Sequence, residues 1–154
     1  MTRHRCWFAL PLLIGSIALF SVSQAQQPRP AGPRAEPIAE TRLLMEGLAL
    51  PNFRGIDRQL RQKPTEVEAW VFMRGQSLLI AETANLLMLR PPRSGGQEAW
   101  LSQAAQLRDT ATRLACSAAE RDYDRSRAGL AELANACNRC HQTFRVPTRI
   151  PPKD

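Results

Sequence analysis

The sequence predicts an all-α fold, specifically an antiparallel four-helix bundle, from three observations. Apolar residues recur at intervals of three and four along four segments, which is the period of an amphipathic helix. Segments rich in proline and glycine separate them, the clearest being RPPRSGG at residues 90–96. No segment alternates apolar and polar residues as a half-buried strand does. Short connections between such helices favour antiparallel neighbours in a bundle.

The first 25 residues have the features of a secretory signal peptide. Arg3 and Arg5 precede an apolar stretch at residues 8–20, and small residues end the segment at Ala25. The apolar stretch is shorter than the roughly 20 residues that a membrane-spanning helix needs, so a retained anchor is the weaker interpretation. We therefore expect cleavage after Ala25 and export to a bacterial periplasm.

Three further segments complete the predicted organisation. Residues 26–37 form a flexible lead-in rich in proline and charge, residues 38–146 hold the four helices, and residues 147–154 form a C-terminal tail. The net charge of +7 falls to +5 when Arg3 and Arg5 leave with the signal peptide. The basic residues are scattered among acidic ones, which argues against a nucleic-acid partner. An acidic protein partner or an anionic membrane surface remains open.

The first helical pattern begins at Ile38 and continues through Met45 to Leu48. Because proline disrupts a helix interior, Pro51 is expected to stop it, and Asn52 is expected to cap a short further stretch.

The remaining three helices follow from caps and apolar spacing. Residues 65–68 fit a capping box, and the helix behind them runs to Leu89. The third helix extends from Gln97 to Ala119, and the fourth begins near Asp124 and ends in CNRCHQTFR at residues 137–145. The expected core faces include Val67, Trp70, Val71, Leu78, Ala81 and Ala84 on the second helix, Trp100, Leu101, Ala104, Leu107, Ala111, Leu114 and Ala118 on the third, and Leu130, Leu133 and Ala134 on the fourth.

Cys137, Cys140 and His141 have the C-x-x-C-H spacing of covalent haem attachment. In such a site two thiols add to the porphyrin vinyl groups as thioethers, and the imidazole coordinates the iron. Residues at i, i+3 and i+4 share one face of a helix, so the three side chains point the same way. We therefore expect one haem c per chain, attached near the C-terminus.

Two other interpretations of this stretch remain open. In the first, Cys137 and Cys140 form a disulfide or redox pair in an oxidising compartment. The strand–helix–strand pattern of a thioredoxin-like site is missing, which argues against it. Alternatively, Cys116, Cys137, Cys140 and His141 together supply the four ligands of a zinc site. Adjacent residues such as Cys140 and His141 seldom bind one metal ion together, and Cys116 belongs to another helix.

The stretch CNRCHQTFR is similar to the C-x-x-C-H-x-x-[FY]-[RK] ending of class II c-type cytochromes, the cytochrome c-prime group. Class I cytochromes instead carry the motif near the chain start and a methionine ligand far downstream, and no methionine follows His141 here. The resemblance implies that Cys137 and Cys140 hold the haem, that His141 is the proximal ligand and that Arg145 contacts a propionate. The other interpretation of Arg145 is a solvated cation at a helix C-terminus. The resemblance also implies a homodimer through the first two helices.

In that family the sixth iron position is set by the first helix, where low-spin members place a methionine and high-spin members an apolar or aromatic residue. A rough alignment puts the equivalent position at residues 34–38, which contain no methionine. Met45 is therefore either a sixth ligand or a core residue, and Met73 and Met88 are expected in the core. Cys116 is expected to be a buried free thiol, or else to form a disulfide across a dimer.

These observations predict a periplasmic one-electron carrier that is not an enzyme and that serves an unidentified redox partner protein. His141 is the only histidine left after signal cleavage, and no carboxylate pair suggests substrate turnover. The alternative is a five-coordinate haem protein that binds nitric oxide or carbon monoxide. A third hypothesis is a zinc or dithiol structural module without a redox role.

Overall fold

The computed structural model describes Gly32 and residues 35–151, which contain helices and no strand. The predicted signal peptide at residues 1–25 lies outside this part of the chain. The described helices belong to one compact unit that begins at Ala35, and the all-α prediction is confirmed for them. Four helices are present in this range: a first helix made of α1 (Thr41–Leu44), a π segment (Met45–Ala49) and α2 (Leu50–Gln59), followed by α3 (Val67–Met88), α4 (Gln97–Ala119) and α5 (Tyr123–Thr143).

The first helix continues through Pro51, so the predicted stop there is wrong. A proline ring clashes with the carbonyl four residues earlier in an α-helix and has no N–H to donate. Here the preceding turn widens to a π turn, in which the Leu50 N–H donates to the Met45 carbonyl. The Asn52 side chain donates to the Leu48 carbonyl at 2.7 Å. Asn52 is thus inside the helix and does not cap one.

The predicted core face of α3 is confirmed at Trp70, Ala81 and Ala84, but the observed buried face is rotated away from the other predicted residues. The buried residues include Met73, Ser77 and Ile80, whereas Val71 is 64% exposed. The Ser77 hydroxyl donates to the carbonyl of Met73 at 2.8 Å, and this bond within the helix allows a small polar residue to be fully buried. The helix begins at Val67 without a side-chain cap, so the predicted capping box does not form.

The bounds of α4 agree with the prediction, and α5 begins one residue earlier than expected. Asp122 caps α5, since its carboxylate accepts the Arg125 backbone N–H at 3.0 Å. The loop before α4 ends at Gly96, whose φ of 74° is a left-handed conformation that glycine adopts without strain. Leu101, predicted in the core, is 44% exposed.

The core is formed where α3 packs against α2 and α4, and where α4 packs against α5. Gly129 allows the last of these contacts, because a Cβ added there would lie 3.2 Å from the Leu114 side chain. The Tyr123 hydroxyl donates to the Leu60 carbonyl at 3.2 Å and ties the start of α5 to the end of the first helix. The largest fully buried apolar side chains are Ile56, Met73, Ile80, Leu114 and Leu133.

Candidate functional site

A cavity of about 410 Å³ lies between the first helix, α3, α4, α5 and the segment that follows α5. This size is within the range of small-molecule and cofactor sites, roughly 300–1,000 Å³. Its wall is mainly apolar and includes Ala49, Leu50, Phe53, Ile80, Trp100, Leu107, Leu133 and Phe144. The cavity is therefore a mainly apolar space of the size of a small-molecule or cofactor site.

All three residues of the predicted attachment motif line this cavity. Cys137, Cys140 and His141 lie within α5, and the helix places them on one side. Burial raises the pKa of Cys137 to about 12, and the neighbouring Cys140 adds to the effect. Burial also raises the pKa of Cys140. Both side chains are therefore neutral thiols at pH 7, which makes them weak nucleophiles in disulfide exchange.

The His141 ring is held by the segment that follows α5. Its Nδ1 lies 2.7 Å from the Thr148 carbonyl oxygen. A carbonyl oxygen only accepts, so Nδ1 carries the proton in this bond, and in the neutral ring the lone pair is then on Nε2. Metal-binding histidines are commonly oriented by such a bond to a backbone carbonyl. The ring thus has the tautomer that a metal ligand requires.

Met45 lines the same cavity from the first helix, in the π segment. The alignment window at residues 34–38 is not part of the cavity wall among its described residues, and Ile38 is 90% exposed. Because the first helix begins at Thr41, three residues later than expected, Met45 occupies an early turn of it. Met45 thus lines the cavity, and its role as a sixth ligand or a core residue stays a prediction.

Trp100 and Phe144 form one wall of the cavity. Their rings meet edge to face, with centroids 5.0 Å apart and an interplanar angle of 75°. The Trp100 indole N–H donates to the Leu87 carbonyl at 2.7 Å, which fixes the ring against the end of α3. Sequence spacing identified Trp100 as a core residue, and its place in the wall of a cavity was not predicted.

Two arginines border the cavity. Arg145 was a predicted site residue, whereas Arg42 was missed because nothing in its local sequence distinguishes it. Arg42 Nε pairs with Glu46 Oε1 at 2.8 Å, one helical turn away and in solvent. Exposed pairs of this kind hold the side chain weakly. Arg42 can therefore turn towards an anionic group at the cavity edge.

Arg145 ends α5 in a backbone conformation that normally favours glycine. Its φ is 55°, its N–H donates to the Gln142 carbonyl, and the Val146 N–H donates to the His141 carbonyl. These bonds form a Schellman motif, in which the left-handed residue follows the helix cap. Arg121 ends α4 with the same motif and a φ of 54°, but it does not line this cavity.

We expect the substitutions Arg145→Gly and Arg121→Gly each to stabilise the fold by about 1 kcal/mol, because glycine relieves the left-handed strain. Only Arg145→Gly removes a positive charge from the cavity border. If Arg145 contacts a haem propionate, Arg145→Gly should also lower the reduction potential of the haem. Chemical denaturation and redox titration measure the two effects, and equal potentials in the two variants would contradict the predicted role of Arg145.

Cys116 is exposed and lies outside the cavity, so the expectation of a buried thiol is wrong. It is on the outward side of α4, next to the buried Ala115 and Ser117. Within residues 35–151, no three Cys, His, Asp or Glu side chains are grouped as metal ligands. The zinc interpretation, which needs four ligands in a closed site, therefore gains no support from the described residues.

No protein-family model matches the chain, and neither a curated protein nor a solved structure does so. In the part of the chain that the structure describes, no helix is both long enough and apolar enough to cross a membrane.

Proposed function

We propose that this protein is a periplasmic c-type cytochrome of the class II kind, which carries one electron on a covalently attached haem. The observation that carries the proposal is the shared cavity of Cys137, Cys140, His141 and Met45. A c-type haem needs two thiols, one imidazole and an apolar enclosure, and the cavity provides all of them. The proposal includes an antiparallel order of the four helices, which their short connections favour.

The haem would supply the one-electron chemistry, and the chain would determine its attachment, its iron ligands and its exposure to water. Cys137 and Cys140 would hold it by thioether bonds, and His141 Nε2 is available as the proximal ligand. Met45 is the sixth ligand in this proposal, since it reaches the cavity from a different helix than His141. The apolar wall would exclude water, and a thioether ligand together with burial raises the reduction potential.

The second candidate is a five-coordinate haem protein that binds nitric oxide or carbon monoxide. Its support is the apolar part of the cavity wall from the first helix, where Ala49, Leu50 and Phe53 offer no ligand atom. If Met45 packs in the core and does not reach the iron, these residues leave room for a diatomic gas.

A redox titration of the purified mature protein separates these candidates from a module without a redox role. The electron carrier should show one reversible one-electron transition, and its ferrous form should not change on addition of carbon monoxide. A carbon monoxide shift in the wild-type protein would favour the gas-binding candidate. One zinc and no iron per chain would establish the structural module.

A homodimer is part of the proposal because α3 exposes an apolar stripe away from the core. Val71, Phe72, Leu78 and Leu79 follow one side of the helix, and Leu79 is 47% exposed. A Cβ added at Gly75, between the two pairs, would meet no atom within 4 Å. A contiguous apolar surface of this kind is typical of a protein interface.

We expect the double substitution Val71→Asp and Leu79→Asp to dissociate the dimer into monomers, because each chain would bury two charges in the interface. Sedimentation equilibrium measures the change as a halved mass. Leu101→Asp is the matched control, since Leu101 is similarly exposed on α4 and lies outside the stripe. A wild-type mass of one chain would contradict the prediction.

A further inference from the structure

Residues 146–150, which we call the C-terminal strap, fold back along the end of α5. Val146, Pro147, Thr148 and Ile150 line the cavity, and Ile150 is only 8% exposed. From the sequence, residues 147–154 are predicted only as a C-terminal tail. The strap begins directly after the Schellman motif at Arg145, which reverses the chain direction.

Asn138 attaches the far end of the strap to α5. Its Nδ2 donates to the Ile150 carbonyl at 2.7 Å, and the Ile150 N–H donates to its Oδ1 at 2.8 Å. Asn138 is 8% exposed, so both bonds are shielded from water. Removing a buried side chain that satisfies two backbone groups leaves those groups without partners, which is more costly than losing an exposed bond. The two bonds therefore fix the strap in one register.

This register decides where the Thr148 carbonyl lies. Thr148 is two residues before Ile150, and its carbonyl accepts the His141 Nδ1 proton at 2.7 Å. Asn138 and His141 are three residues apart and share a side of α5. Asn138 thus attaches the strap, which carries the Thr148 carbonyl, to the same helical turn that carries the His141 ring.

We propose that Asn138 is a positioning residue for the iron ligand: through the strap it holds the Thr148 carbonyl on His141 Nδ1 and thereby sets the orientation and basicity of the ring. The inference rests on the proposed haem function. A hydrogen bond from the distant ring nitrogen to a carbonyl makes the ligating nitrogen a stronger donor. A stronger donor stabilises ferric over ferrous iron, so the strap lowers the reduction potential.

The test compares Asn138→Ala, which loses both bonds to Ile150, with Asn138→Asp, which keeps the acceptor of the Ile150 N–H and loses the donor. Asn135→Ala is the matched control, since it removes an exposed asparagine from the same helix. Trypsin cleavage of the Arg149–Ile150 bond reports release of the strap. We expect it to be roughly tenfold faster or more in Asn138→Ala, intermediate in Asn138→Asp and unchanged in the control.

Two further measurements report on the His141 ring: its tautomer and the reduction potential of the haem. Nitrogen NMR of the His141 side chain in the folded chain without haem should show protonated Nδ1 in the wild type and a tautomer mixture in Asn138→Ala. In the haem-containing protein the reduction potential should rise, and a tenfold change in ferric-over-ferrous preference corresponds to about 59 mV for a one-electron couple. The control should leave both readouts unchanged.

The outcomes separate this inference from the proposed function. Unchanged cleavage in Asn138→Ala would overturn it, and so would a released strap with an unchanged ring tautomer and potential. If no haem attaches to the wild-type chain, the proposed function fails, and the cleavage and nitrogen NMR results still decide whether Asn138 positions the ring.

Discussion

The double substitution Cys137→Ala and Cys140→Ala should abolish covalent haem attachment completely. Each cysteine supplies one thioether bond in the proposed site, so either single substitution leaves one bond and the double substitution leaves none. Extraction with acidified acetone should then remove all colour from the protein, whereas wild-type protein retains it. Intact mass measures the same loss.

Cys116→Ala is the control for this experiment, because Cys116 is exposed and lies outside the cavity. It should retain the full covalent haem. Thiol counting gives an independent check: the denatured wild-type protein, after signal cleavage, should contain Cys116 as its one reactive thiol. Three reactive thiols in coloured protein would contradict thioether attachment.

Met45→Ala should convert a six-coordinate low-spin site into a five-coordinate high-spin site. Among the described residues that line the cavity, Met45 carries the one thioether, and alanine cannot replace it as a ligand. Because a methionine ligand raises the potential of haem iron, the reduction potential should fall. The ferrous variant should also bind carbon monoxide, which the wild-type protein should not.

Met88→Ala is the matched control for Met45→Ala. Met88 is also partly buried against the core, but it lies outside the cavity. It should lose stability, as methionine truncations in a core generally do, without a change of spin state. A wild-type protein that already shows a high-spin spectrum unaffected by Met45→Ala would identify Met45 as a packing residue.

Local signals in the sequence were sufficient for the helices whose ends are marked by turn residues. Gly96 ends the glycine- and proline-rich loop before α4, and the predicted starts of α4 and α5 agree with the structure to within about a residue. The Pro51 signal misled because a proline stops a helix only when the preceding turn cannot adapt. The π segment adapts by changing the hydrogen-bond pattern, which no spacing rule reveals.

The core face of α3 was predicted only in part, for a different reason. The prediction assigned apolar residues to the core, but Ser77 and Thr83 are fully buried and satisfy their hydroxyls on carbonyls of their own helix. Their burial turns Val71 and Leu78 towards solvent. Binary patterning cannot detect this choice, because a serine or threonine looks polar until its partner is known.

The candidate site also contains residues that the sequence predicts and contacts that it does not. Cys137, Cys140 and His141 could be found because a helix brings residues three and four apart together. The contacts of His141 with Thr148 and of Asn138 with Ile150 could not be found, because they join a side chain to a backbone group outside the helix. Such contacts depend on the path of the chain after Arg145, for which the local sequence gives no glycine signal.

The most direct test of the central claim is the visible spectrum of the mature protein produced in a bacterium that has the haem-ligation machinery. We predict a coloured protein whose haem survives acidified acetone and whose reduced spectrum is that of a low-spin c-type haem. A colourless protein, or one whose colour is fully extracted, would contradict the assignment of Cys137, Cys140 and His141 as the haem site.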